Sequence, residues 1–100
     1  MTNRITSENI VDYLHNFNEN HFREGRHSSR RRKLRHIEFE KIKVKLKTEM
    51  PIDIEQQEIK KFALTYYFNE NYNIYIVIAL KDKFINIVTQ HIISKKIGEF

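Results

Sequence analysis

A change of hydrophobic period at its single proline, Pro51, leaves this chain few folds to choose from. Before it, apolar residues recur at helical spacing, as in Ile10, Val11, Leu14 and Phe17. After it, β-branched and aromatic residues alternate in "KFALTYYF", "YNIYIVIAL" and "FINIVTQHI". A period near 3.6 places apolar groups on one helical stripe, and a period of two places them on one face of a strand. Helices first and a sheet second predict an α+β fold, in which two to three N-terminal helices pack on a three- to four-stranded antiparallel meander. The linkers "NEN" and "KDK" between the apolar runs are short enough for hairpins. A shorter strand over 52–58 is expected at the edge.

With 100 residues and 40% hydrophobic residues, the chain has material for one core and not for two. A single domain is expected over 1–100, with its helical part at about 6–48 and its sheet at about 52–93. Thr6 or Ser7 is placed to cap a first helix ending near Asn18. The run "NENHFREG" lacks periodicity and reads as a loop. Ser28 or Ser29 is placed to cap a second helix. In "IEFEKIKVKLKTE" two readings stand side by side: a helix carrying Phe39, Ile42, Val44 and Leu46, whose spacing fits a helix imperfectly, and a strand alternating from Ile42 to Leu46.

Charge is concentrated in one place. The stretch 21–37 holds Arg23, Arg26, Arg30, Arg31, Arg32, Lys33 and Arg35 against Glu24 alone, a net of +6. The whole chain carries +5, so the remainder is close to −1. One local patch on a nearly neutral protein points to a polyanionic partner. Six of those seven cations are arginine, whose planar fork grips phosphate at two points where lysine offers a point charge. A solvated basic helix face gives the same pattern, and composition alone does not separate the two.

There are no cysteines, which removes disulfides and thiolate metal sites and fits a reducing compartment. No window has the unbroken apolar length of a membrane span, and Met1 to Glu8 has no apolar core of the signal-peptide kind. A soluble, cytoplasmic protein without a membrane partner is expected. The histidines His15, His21 and His36 fall at no metal-ligand spacing. No Gly-rich phosphate loop, serine elbow or nucleotide fingerprint is present, so neither metal nor cofactor is expected.

Two constellations carry chemistry. On a helix, His27, Arg31 and Arg35 stack in one column with Leu34 beside it, while Arg26, Arg30, Arg32, Lys33 and Arg35 are placed to contact phosphates. On the last strand, plain alternation puts Thr89 and His91 on the same side as the inward Ile85 and Ile87. That row turns polar toward its end, as the floor of a cleft or a strand leaving the core would. Tyr66, Tyr67, Tyr72 and Tyr75 serve either packing or base stacking.

His27, Arg31, Arg35 and Ile37 resemble the opening motif of a family of small toxin-like domains, and "YIVIAL" with "FINIVTQH" resembles its closing hairpin. The likeness spans roughly Arg26 to His91. Such domains are similar to the ribonuclease superfamily of barnase, EndoU, the colicin tRNases and RelE. The resemblance implies a metal-independent ribonuclease, an antitoxin partner, and a site of helical His and Arg with a Thr-x-Tyr pair on the final strand. Thr89 matches the threonine, and His91 stands where a tyrosine is common.

A mechanism can be written from the residues themselves. The 2′-OH of RNA attacks the adjacent phosphorus, one imidazole removes its proton, another protonates the leaving 5′-oxygen, and cations stabilise the phosphorane. His27 and His91 suit the proton transfers because imidazole titrates near neutral pH. Arg31 would hold the developing charge and Thr89 a phosphate oxygen. The alternatives are a non-catalytic nucleic-acid-binding module that uses the Arg-rich helix, and a factor that binds an acidic protein.

Overall fold

The structure is a computed structural model that describes residues 5–25 and 38–95. The expected second helix, and with it His27, Arg31, Arg26, Arg30, Arg32, Lys33 and Arg35, lies outside the described residues.

Within them the chain is α+β, but its sheet is larger than expected and mixed in direction. The elements are α1 (Ile10–His15), a 3₁₀ turn (Glu19–His21), β1 (Phe22–Glu24), α2 (Phe39–Thr48), β2 (Asp53–Glu58), β3 (Lys61–Tyr67), β4 (Tyr72–Leu80) and β5 (Ile85–Ser94). The strands lie in the order β1-β5-β4-β3-β2. β2 to β5 form the expected antiparallel meander. β1, expected as loop, instead runs parallel to β5 and pairs Phe22 with Ile85 and Glu24 with Ile87. A three-residue strand has too little length to display a period. Its pairing comes from a partner about sixty residues away, so tertiary structure decides it.

α1 is shorter than its apolar stripe suggests. The backbone N–H of Ile10 donates to the Thr6 carbonyl at 2.9 Å, and the Thr6 N–H donates to Asn9 Oδ1 at 2.7 Å, so the helix proper starts after Asn9. At its other end Asn16 Nδ2 donates to the Asp12 carbonyl at 2.8 Å. α2 resolves the open choice in favour of helix: Ile42 and Leu46, four apart, are fully buried, while the out-of-phase Val44 is exposed. It ends where Thr48 Oγ1 donates back to the Val44 carbonyl at 2.7 Å and Glu49 turns extended ahead of Pro51.

Two lysines of α2 fasten it to its neighbours. Lys47 Nζ donates to the His15 carbonyl at 3.2 Å and also to the Phe17 carbonyl, so it sits where α1 leaves carbonyls unsatisfied. Lys45 Nζ donates to the Tyr67 carbonyl at 2.7 Å. In return, His15 Nε2 lies 3.0 Å from the Glu49 carbonyl oxygen.

Both helices pack on one face of the sheet. Ile10, Leu14, Ile42 and Leu46 meet Phe22, Phe62, Leu64, Tyr66, Ile74, Ile76, Ile78, Leu80, Ile85 and Ile87 in a single core. No described helix is long and apolar enough to cross a membrane.

Candidate nucleic-acid interface

Thr89 and His91 lie on the face of the sheet opposite to Ile85 and Ile87, which corrects the alternation read from sequence. The cause is a bulge. Ile87 pairs with Ile78 and Thr89 with Val77, neighbours on β4, so Val88 is an extra residue in β5. One inserted residue exchanges the faces of everything beyond it. Gln90, opposite the buried Ile76, therefore turns into the core, where it is fully buried. Ile92, opposite Ile74, follows it and packs against the same core. Thr89 and His91 turn outward with Val77 and Tyr75.

Register then fixes what this outer face carries. One row across the sheet reads Asp53, Thr65, Tyr75, His91, and the next reads Glu55, Ala63, Val77, Thr89. The rings of Tyr75 and His91 are 6.2 Å apart between centroids and tilted by 35°. Gln57, which is the extra residue of a second bulge on β2, donates from its amide to the Tyr75 hydroxyl and to Glu55 Oε1, each at 3.3 Å. Within the second row Ala63 and Val77 are both buried. Thr89 Oγ1 and Asn73 Oδ1 are buried without a hydrogen-bond partner. A buried hydroxyl without a partner costs about 1–3 kcal/mol.

A third row, Glu58, Lys61, Ala79, Asn86, Arg23, leads to the end of the sheet where the β2–β3 turn and the β4–β5 loop meet. There a groove of about 1060 Å³ is lined by Arg23, Lys60, Lys61, Lys81, Lys83 and Phe84, with Glu58 and Asp82 as its carboxylates. Its charged lining is five cations against two anions. The Arg23 guanidinium stands 5.3 Å from the centre of the Phe84 ring, and Lys61 Nζ is 3.7 Å from Glu58 Oε2.

Of the residues singled out from sequence, the structure places Thr89 and His91 on the same side of β5, both half-buried. It describes no geometry for His27 and Arg31. The sequence reading missed the groove. Its lysines were legible only as hairpin punctuation, although alternate turns of a meander must fall at the same end of the sheet. Of the four strand tyrosines weighed for stacking, Tyr66 is buried in the core, Tyr67 and Tyr72 are exposed, and Tyr75 is half-buried on the outer face. Among the described residues no group of His, Asp or Glu is arranged to hold a metal ion.

No curated protein and no solved structure matches the chain. The model of an uncharacterised family, the MJ0788 family, matches residues 3–78, taking in α1 and most of β4 and stopping short of β5. That span includes the first helix, which the toxin-like resemblance left out, and omits Thr89 and His91. It covers about three quarters of the sequence, and the chain belongs to the MJ0788 family.

Proposed function

We propose that this protein binds single-stranded RNA across the outer face of its sheet. The observation that supports this reading is the Tyr75–His91 ring pair, on the side of the sheet that neither α1 nor α2 packs against. Sheet aromatics of this kind stack splayed bases, while neighbouring hydroxyls and cations hold the phosphates. The arginines of 26–35 add a sequence-independent grip, which makes affinity fall steeply with salt. The test is fluorescence anisotropy with labelled hexauridylate. Tyr75→Ala should weaken binding by about 1–3 kcal/mol, the usual worth of one stacked base. If the wild-type protein leaves the oligonucleotide free at low salt, or Tyr75→Ala binds as well as wild type, the reading fails.

Metal-independent cleavage of RNA is a second reading, favoured by the placement of an imidazole and a hydroxyl two residues apart on that same face. In it His91 and His27 exchange the protons of the 2′-OH and the 5′-oxygen, Arg31 stabilises the phosphorane and Thr89 donates to a phosphate oxygen. A toxin of this kind would be held in check by an antitoxin. Cleavage in EDTA that leaves 2′,3′-cyclic ends and disappears in both His27→Ala and His91→Ala is the expected result. RNA left intact by wild type rules this reading out and leaves the binding reading standing.

A further inference from the structure

We infer that the groove between the β2–β3 turn and the β4–β5 loop is a phosphate-binding end of the same RNA path, so that a bound strand runs from the groove to the Tyr75–His91 row. The inference rests on the RNA-binding reading and adds a second contact region, a direction and a footprint. Three observations carry it.

First, the groove's charge is local and excessive. Its five cations outnumber its two carboxylates, and they come from three separate places in the sequence: Arg23 on β1, Lys60 and Lys61 at the β2–β3 turn, and Lys81 and Lys83 in the β4–β5 loop. None of them belongs to the 26–35 run that dominates the sequence. Convergence of like charges from separate segments raises the local positive potential, which attracts an anion.

Second, the groove has a flat apolar element as well as charge. Phe84 lines it, with the Arg23 guanidinium over the ring. A cation beside an aromatic face suits a nucleotide, which offers both a phosphate and a ring, better than it suits a carboxylate side chain.

Third, groove and row lie along the same side of one strand. On β4 the groove is lined by Ala79, and Tyr75 lies four residues back on the same face, with Val77 between them. Four strand residues span about 13 Å, which accommodates about two or three bases on a sheet platform.

The test compares wild type with the quadruple variant Lys60→Gln, Lys61→Gln, Lys81→Gln, Lys83→Gln, and with the double reversal Lys81→Glu, Lys83→Glu. The latter is confined to exposed loop positions. Circular dichroism melting serves as the folding control. With labelled hexauridylate, the quadruple variant should lose about tenfold in affinity. If the groove neutralises two phosphates, the slope of log affinity against log salt should become shallower by about 1.4. Affinity should climb from di- to tetrauridylate and then level off. If wild type binds the RNA and both variants match it in affinity and salt slope, the groove is not on the path, and the RNA-binding reading survives. Equal affinity for a hexaglutamate peptide, lost in the same variants, would make the groove a general anion sink and overturn the inference. Absence of RNA binding by wild type removes both.

Discussion

The bulge at Val88 decides which side chains of β5 are available for function, and it makes a sharp prediction about two adjacent residues. Gln90 is fully buried beneath Ile76, whereas His91 is half-buried on the outer face beside Tyr75. A lysine at position 90 has no route to water, so the folded state must hold it neutral. With an ordinary pKa near 10.4, removing its proton at pH 7 costs about 4 to 5 kcal/mol, at about 1.36 kcal/mol per pH unit. That is comparable to the whole stability of a small domain, roughly 5–15 kcal/mol. A lysine at 91 reaches solvent from the open face and should cost less than about 1 kcal/mol. Urea unfolding followed by circular dichroism at pH 7 compares Gln90→Lys with His91→Lys. The sign of the pH dependence is also fixed. Between about pH 7 and 10 the unfolded chain binds the proton that the folded Gln90→Lys protein does not, so the variant's deficit shrinks as pH rises. If the two variants lie within about 1 kcal/mol of each other at pH 7, β5 is not bulged as described, and Thr89 and His91 return to the inner face.

Further outcomes follow from the core and its fastenings. Burial pushes the Tyr66 hydroxyl well above the ordinary tyrosine range, with the Glu49 carboxylate adding to the effect. Folding therefore gains stability as pH falls back toward neutral only up to a limit: beyond about pH 10 the unfolded chain ionises while the folded one does not, and stability is lost as pH rises. Because that hydroxyl is also without a hydrogen-bond partner, Tyr66→Phe should be neutral or stabilise by up to about 1 kcal/mol, and should flatten the alkaline limb of the melting profile. Ile76→Ala, at the middle of the central strands, should cost about 2–5 kcal/mol in denaturant unfolding. Lys47→Ala removes the ammonium that joins α2 to the carbonyls of His15, the last residue of α1, and of Phe17 just beyond it. It should cost about 1–2 kcal/mol and raise hydrogen exchange in 10–17 more than in β3. The chain has no native cysteine, so a thiol introduced by His91→Cys should react with a maleimide far faster than one introduced by Gln90→Cys.

What could be read from sequence follows from how each element is specified. The meander was legible because β3, β4 and β5 each carry a long alternating run and short polar connections. α2 was legible as far as a choice, and the choice was resolved by Ile42 and Leu46 meeting the sheet rather than by propensity. β1 was not legible, since Phe22, Arg23 and Glu24 become a strand only by lying against Ile85 to Ile87. The outward turn of Thr89 and His91 was hidden for a different reason. "INIVTQHI" contains no glycine or other mark of a bulge, and its simple alternation is internally consistent with the wrong face. Thr89 and His91 themselves were picked out by residue type, and the groove was missed because its cations are dispersed along the chain and gather only when the turns meet.

The parallel seam between β1 and β5 has a consequence for how the molecule assembles. The antiparallel hairpins close through a few intervening residues, while Phe22 must wait until Ile85 has been synthesised and paired to β4 before it has anything to bind. Long loops close slowly relative to short ones. β1 therefore docks only after β5 has emerged and paired, as the last step of sheet assembly. Because Arg23 rides on it, release of this one short strand would take one of the groove's five cations, and the partner of the Phe84 ring, away from a meander that keeps the other four.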